Sequence, residues 1–299
     1  ITGSLFYQVT RLLKECQPKA FLLENVHGLL TMDGGKTIVK VVDSLKACGY
    51  NVQYKTMNSF CLLPQYRRRV YIVGFLDPNI ASNFSWPVEP KLSPARTVGD
   101  ILDLSDPFLE TYKLTKRQWK TVKDSKSSKK YGVETRILRP CSKQADTLLK
   151  SYRGSKKDMA QFVMQHNQTE GRPRWLTHRE CARLMGFPNH HQFPPGPSAY
   201  KQLGNAVTPP LIALIGGNIR AALDDDPSYE IKGLEAAFLL TYDSTDPSRQ
   251  QFLLDTKVNH PKHQGTVNEL LKTPRRSWMT FIAVGLGISC IYLLHGYRR

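Results

Sequence analysis

Two short stretches carry residue types that could act on a bound molecule. In Phe21-Leu22-Leu23-Glu24-Asn25-Val26 an apolar run ends in a carboxylate and an amide, and Gly28 follows to allow a sharp turn. Pro18 breaks the helical pattern before it. Ala20 to Leu23 fits a buried strand of a parallel sheet. Ligands of open α/β sheets bind just beyond the carboxyl ends of the strands, so Glu24 is placed to do chemistry on a ligand. Capping of the strand is the plainer role for a lone glutamate there. The second stretch is Pro64-Gln65-Tyr66-Arg67-Arg68-Arg69, three guanidinium groups ahead of a β-rich run that reaches Leu76. Phosphate contact is the plainest use of such a cluster.

Other chemistries find little support. Gly34-Gly35-Lys36-Thr37 is like the end of a phosphate-binding loop, but position 30, where the full pattern needs glycine, is Leu. No Gly-x-Gly-x-x-Gly occurs. The six Cys form no CxxC pair, which argues against a zinc site or a disulfide framework. His190 and His191 lie in a Pro-rich loop and are weak evidence for a metal, so none is expected. The cysteine usage fits a reducing intracellular compartment.

The elements that must hold these residues alternate. Ser4 to Cys16 reads as a helix, Lys36 to Cys48 as a second that Gly49 stops, and Asn51 to Ser59 as a strand. That order predicts a parallel, helix-flanked α/β layer. A formal net charge of +17 over 299 residues points to nucleic acid or an anionic surface as partner. Between Thr111 and Lys157, fifteen Lys/Arg face three Asp/Glu, and Asp124 to Lys130 reads as a solvated, partly disordered loop. Thr177-His178-Arg179-Glu180 is a capping box for a helix ending at Gly186, and Thr208-Pro209 opens another. Ser244 to Arg276 is linker-like. Trp278 to Leu294 is then almost wholly apolar, with Arg pairs on both flanks, and reads as a transmembrane helix at the short end of the usual range, with a buried core helix as the alternative.

Four stretches, taken together and in order, resemble the cytosine-5 DNA methyltransferase family. They are Glu24-Asn25-Val26 with Gly28-Leu29; Gln65-Tyr66-Arg67-Arg68-Arg69, similar to the family's Gln-x-Arg-x-Arg; Arg174 to Pro188; and Gln202-Leu203-Gly204-Asn205-Ala206-Val207, similar to its closing Gln-x-Gly-Asn-x-Val. The resemblance covers Gly3 to about Leu223. It implies methyl transfer from S-adenosyl-L-methionine to carbon 5 of a flipped cytosine in double-stranded DNA, through a Cys thiolate that adds to carbon 6. By resemblance Glu24 serves ring nitrogen N3, Arg69 holds the cytosine O2, and Arg67 is a neighbouring Arg of the site. Asn205 and Ala206 would lie beside the methionine part of the cofactor. Thr147 and Tyr152 would meet the DNA backbone. Arg136 is a base-reading candidate, because Arg can bridge guanine O6 and N7.

The implied fold class is α/β: part of a Rossmann-like methyltransferase sheet, a smaller basic target-recognition domain, and a C-terminal apolar helix. The expected division is 1–85 and 173–223 for the catalytic domain, 86–172 for target recognition, 224–277 for a linker and 278–295 for the span. The family's Pro-Cys-Gln nucleophile is absent. Cys16-Gln17 and Pro140-Cys141 are each half of it. Ile1 is not a start Met, and the sequence is expected to be cut at its N-terminus. Two alternatives stand beside the enzyme: an inactive relative that binds DNA or stimulates a partner, and the transfer-RNA-methylating branch, whose Cys-Phe-Thr signature is missing.

Overall fold

The computed structural model describes residues 2–90, 96–154, 160–164, 171–193, 196, 198–241, 284–286 and 289–294. In chain order the elements are α1 (Thr2–Cys16), β1 (Ala20–Val26), α2 (Lys36–Lys46), β2 (Asn51–Asn58), β3 (Arg68–Phe75) and α3 (Pro78–Asn83). Then come α4 (Lys116–Lys123), α5 (Lys126–Tyr131), β4 (Ile137–Leu138), β5 (Phe162–Val163), α6 (His178–Leu184) and α7 (Ser198–Asn205). The last are α8 (Pro209–Asp224), α9 (Ser228–Thr241), β6 (Val284–Leu286) and β7 (Ser289–Leu294). Two compact units result: Ile1–Met57 with Arg68–Val88 and Ile212–Arg299, and Asn58–Arg67 with Glu89–Leu211. The return to the first unit therefore comes at Ile212, and the segment from residue 173 belongs with the second.

The first unit is built on a sheet of order β2-β3-β1-β7-β6. Val9 and Leu13 of α1 and Ile38 and Leu45 of α2 form one core with Phe21, Leu23, Val70 and Ile72. Leu22 and Val73, on the opposite face, are buried as well. Burial on both faces explains why β1 and β3 read as continuous apolar runs rather than alternating ones. Phe21 pairs with Gly74, and a Cβ on Gly74 would stand 2.3 Å from the Phe21 ring, so glycine makes room for the aromatic.

The expected parallel pairing is corrected. β1 pairs antiparallel with both β3 and β7. Residues 59–67 are too short a connection for the helical crossover that a parallel strand needs, so β3 comes back reversed. The C-terminal expectation changes too. Within the apolar run, 284–286 and 289–294 are strands, and β7 pairs Leu294 to Cys290 with Ala20 to Glu24. A segment that spends its backbone hydrogen bonds on a sheet cannot also be a spanning helix. The other residues of 278–295, like the linker beyond Thr241, lie outside the described residues. Among the described residues, Ser198–Asp224 is long and apolar enough to cross a membrane, but much of it is buried, as in a core helix.

The second unit packs around Trp175, whose ring meets Phe162 at 4.8 Å and Tyr152 at 5.2 Å, edge to face. Leu114, Val122, Leu184, Met185 and Tyr200 join that core. The capping box of α6 forms as read: Glu180 N donates to Thr177 Oγ1, and Thr177 N to Glu180 Oε2. Gly186, at φ +80°, ends α6 in the left-handed region. Asp124 to Lys130 is not a disordered loop; Ser125 caps the short helix α5.

Gly204→Ala is expected to destabilise the chain by about 1–3 kcal/mol, because overpacking forces the backbone to shift. The added Cβ would stand 2.3 Å from Lys150 N and 2.4 Å from Leu149 C, both backbone atoms. Gly28→Ala, with nothing within 4 Å, is the control and should change stability by less than about 0.5 kcal/mol. Equilibrium urea denaturation measures both.

Candidate active site

The antiparallel register of β1 and β3 builds a charged pair within the first unit. Glu24 pairs with Tyr71 and Val26 with Arg69. Arg69 is thus two residues along from Glu24's partner, on the same face and within diagonal reach. The Arg69 guanidinium Nε lies 3.0 Å from Glu24 Oε1, with the two side chains 12% and 8% exposed. Each charge offsets the desolvation of the other, and a small part of each stays open to a ligand. Arg69 Nη1 also donates to Arg68 O at 2.8 Å, which fixes the plane of the guanidinium. Asn25 Oδ1 accepts from Val26 N at 2.8 Å and so orders the backbone just past the carboxylate.

Arg67 is turned elsewhere. It is 2% exposed, and its guanidinium donates to Leu148 O, Gly204 O and Ala206 O. An arginine expected beside Arg69 in the site is instead a buried brace within the second unit. The neighbouring Gln65 is wholly buried; its Nε2 donates to Leu184 O, and its Oε1 accepts from Leu148 N. Its importance could be read only from its place in the Gln-x-Arg-x-Arg pattern.

Asn205 is exposed at the end of α7, and Ala206 is half-buried beside it. Thr147 is half-buried and donates its hydroxyl to Tyr66 O at 2.7 Å. Two of the expected DNA contacts are corrected. Tyr152 is a core residue: 8% exposed, its hydroxyl donates to Gln161 O and accepts from Leu176 N. Arg136 is equally buried and bonds to the Ser127 hydroxyl, so it is not presented to a base edge. Each of the two short helices presents exposed cations: Lys116, Arg117, Lys120 and Lys123 on α4, and Lys126, Lys129 and Lys130 on α5. Arg153, in the left-handed region at φ +62°, stacks its guanidinium over Tyr112, Trp175 and Tyr200. Sequence reasoning named the neighbouring Tyr152 but not this aromatic set, whose members are far apart in the chain.

The sequence also missed Arg174. Both of its terminal nitrogens meet Glu180, at 2.7 and 2.8 Å, and the pair is almost fully buried. Glu180 further accepts from Asp103 N, so this carboxylate is fully engaged inside the protein. It braces, and it has no face left for a substrate.

Two of the described cysteines, half-buried Cys61 and buried Cys181, are poor nucleophiles. Burial pushes the Cys61 thiol up to about 12, and it raises Cys181 well above the ordinary thiol value. Both stay protonated at neutral pH, whereas nucleophilic catalysis needs a thiolate. Cys16 and Cys141 are exposed. Among the described residues no His, Cys, Asp and Glu side chains cluster as a metal site would need.

Residues 1–221 match the family model for the C-5 cytosine-specific DNA methylase. The chain belongs to that family. Its relatives include the type II methyltransferases M1.ScrFI of Lactococcus lactis subsp. cremoris, 33% identical over 227 residues, and M.NlaX of Neisseria lactamica, 32% over 226. M.BsuFI of Bacillus subtilis is 36% identical over 224 residues. Each alignment takes in 74% of this chain but 57%, 69% and 52% of the respective relative. The chain thus spans little more than half the length of most of them. Among solved structures, the S. pombe Dnmt2 methyltransferase is similar in fold, with a TM-score of 0.52 at 19% identity over 75% of this chain and 72% of that one. The matched region holds both the Glu24–Arg69 pair and the Arg67 brace, and the family's fold class is the α/β one expected.

The thiol environments predict an order of reaction. Iodoacetamide at about pH 8 should label Cys16 and Cys141 while sparing Cys61 and Cys181 until the chain is unfolded, because only a thiolate reacts. Peptide mass mapping reads this directly, and early labelling of Cys181 would contradict the burial described.

Proposed function

We propose that this chain is the part of a DNA cytosine-5 methyltransferase that binds and polarises the target base, and that the whole protein transfers a methyl group from S-adenosyl-L-methionine to cytosine carbon 5. The carrying observation is the Glu24–Arg69 pair at the carboxyl end of β1. Cytosine carbon 5 is a poor nucleophile, and addition of a thiolate at carbon 6 puts negative charge on ring nitrogen N3. Glu24 hydrogen-bonds or protonates N3, and Arg69 faces the O2 oxygen, where a fixed cation stabilises the same charge. The base must leave the duplex to reach them.

Asn205 supports a cofactor role. Its exposed amide stands between two backbone carbonyls that Arg67 holds, which suits the amino-acid end of S-adenosyl-L-methionine. When bound, that group supplies an electrophilic methyl. The partner is double-stranded DNA inside the cell, met in part by the exposed cations of α4 and α5 and by Thr147. No Pro-Cys-Gln occurs in the sequence, and the chain spans 57% of M1.ScrFI, so in this reading the thiolate belongs to the part of such a protein that the alignment leaves out. That same absence favours one second reading, a non-catalytic relative that binds DNA or stimulates a partner.

Three outcomes separate these readings. Ile1–Arg299 alone should transfer no radiolabelled methyl to DNA, and transfer above background would place the nucleophile within it. In the complete protein, Glu24→Gln should lower kcat on the order of 10²–10⁴-fold, the range of a lost proton transfer, with a much smaller change in DNA affinity. Equal losses in both would leave Glu24 only a positioning role, and a complete protein with no activity would favour the second reading.

DNA binding should carry a salt dependence of about −0.9 in log K per log salt for each phosphate neutralised. Reversing Lys116, Lys120, Lys126 and Lys129 to Glu should flatten that slope in a filter-binding titration. An unchanged slope would place the phosphate contacts on other residues.

A further inference from the structure

We infer that Arg67 is a positioning residue that shapes the cofactor turn, and that it makes no contact with the base. The inference rests on the methyltransferase reading above and names how one part of that site is held. Arg67 Nη2 donates to Ala206 O at 2.7 Å and to Gly204 O at 3.4 Å, while Nη1 donates to Leu148 O at 3.2 Å. Three carbonyls from two distant segments thus converge on one planar, delocalised cation. Carbonyl groups turned together repel one another, and a guanidinium is the side chain whose several fixed donors can hold such a set.

The brace itself is anchored. Arg67 N donates to Asn58 Oδ1 at 3.0 Å, and Arg67 O accepts from Ser59 N at 3.1 Å. Two residues earlier, Gln65 Oε1 accepts from Leu148 N, so Leu148 is held at both its amide and its carbonyl. Gly204 is held equally closely, since a Cβ there would stand 2.3 Å from Lys150 N. Asn205, between Gly204 and Ala206, therefore leaves the protein from a backbone fixed on either side. Its exposed amide is aimed by Arg67, through the backbone, without Arg67 touching what Asn205 binds.

A lysine at position 67 keeps the charge but has one compact nitrogen, which cannot span the same three carbonyls. In the complete protein Arg67→Lys should weaken S-adenosyl-L-methionine binding by about tenfold or more, the scale of one lost charged hydrogen bond, measured by titration calorimetry without DNA. The KM for the cofactor should rise in step, with kcat at saturating cofactor and the Kd for DNA changed less than about threefold. Arg69→Lys should show the opposite split, a kcat loss with cofactor affinity kept. Unchanged cofactor affinity in Arg67→Lys overturns the inference, whether kcat falls (Arg67 then acts on the base) or only the melting temperature falls (Arg67 then only supports the fold). If Arg67→Lys does not fold, Ala206→Pro leaves Arg67 in place and alters the turn it holds. The same selective loss of cofactor affinity is then expected, and its absence overturns the inference. A wild-type complete protein that binds no S-adenosyl-L-methionine defeats the underlying reading instead.

Discussion

The antiparallel register of β1 against β3 is the constraint on which the first unit depends. It sets Phe21 over Gly74, stacks Leu23 and Ile72 into the core under α1 and α2, and brings Arg69 to Glu24. A slip of one residue would turn Glu24 to the opposite face and put the core side chains of β1 out of place. The chemistry and the core are therefore coupled: the apolar side chains that hold the register also hold the carboxylate 3.0 Å from its guanidinium. Neither charge is stable alone in so dry a place, so the pair holds together until a ligand offers new partners.

The second unit is organised by buried polar groups as much as by its aromatic core. Glu180, fully buried, receives both nitrogens of Arg174 and the amides of Thr177 and Asp103. Arg67 gathers three carbonyls in the same unit. Such groups are costly unless every partner is present, and for that reason they specify one arrangement of loops that have little regular structure of their own. The basic helices α4 and α5 can then be exposed without loss, since Val122 and Ser128 are the side chains that they bury.

The C-terminal strands show the same physics from another side. An apolar run can satisfy its backbone in a helix within lipid or in a ladder beside another strand. Here β7 lies along β1 from Ala20 to Glu24 and leaves Asn25 and Val26, next to the site, outside that pairing.

Local patterns in the sequence determined much of this. The apolar run to Glu24, the capping box at Thr177, the stop at Gly186 and the family motifs each depend on near neighbours, and each was legible. The concentration of positive charge was legible for the same reason, as composition. Strand direction was not, because parallel and antiparallel strands buried on both faces look alike in sequence. The roles of the arginines were not either: Arg67 and Arg69 sit two residues apart in one motif, yet one braces carbonyls at Leu148, Gly204 and Ala206 while the other pairs with Glu24. Tyr152 and Arg136 passed for surface contacts until packing buried them. Sequence specifies which side chains can carry charge or donate hydrogen bonds. Which partner each one meets depends on long-range packing, and only the tertiary structure decides that.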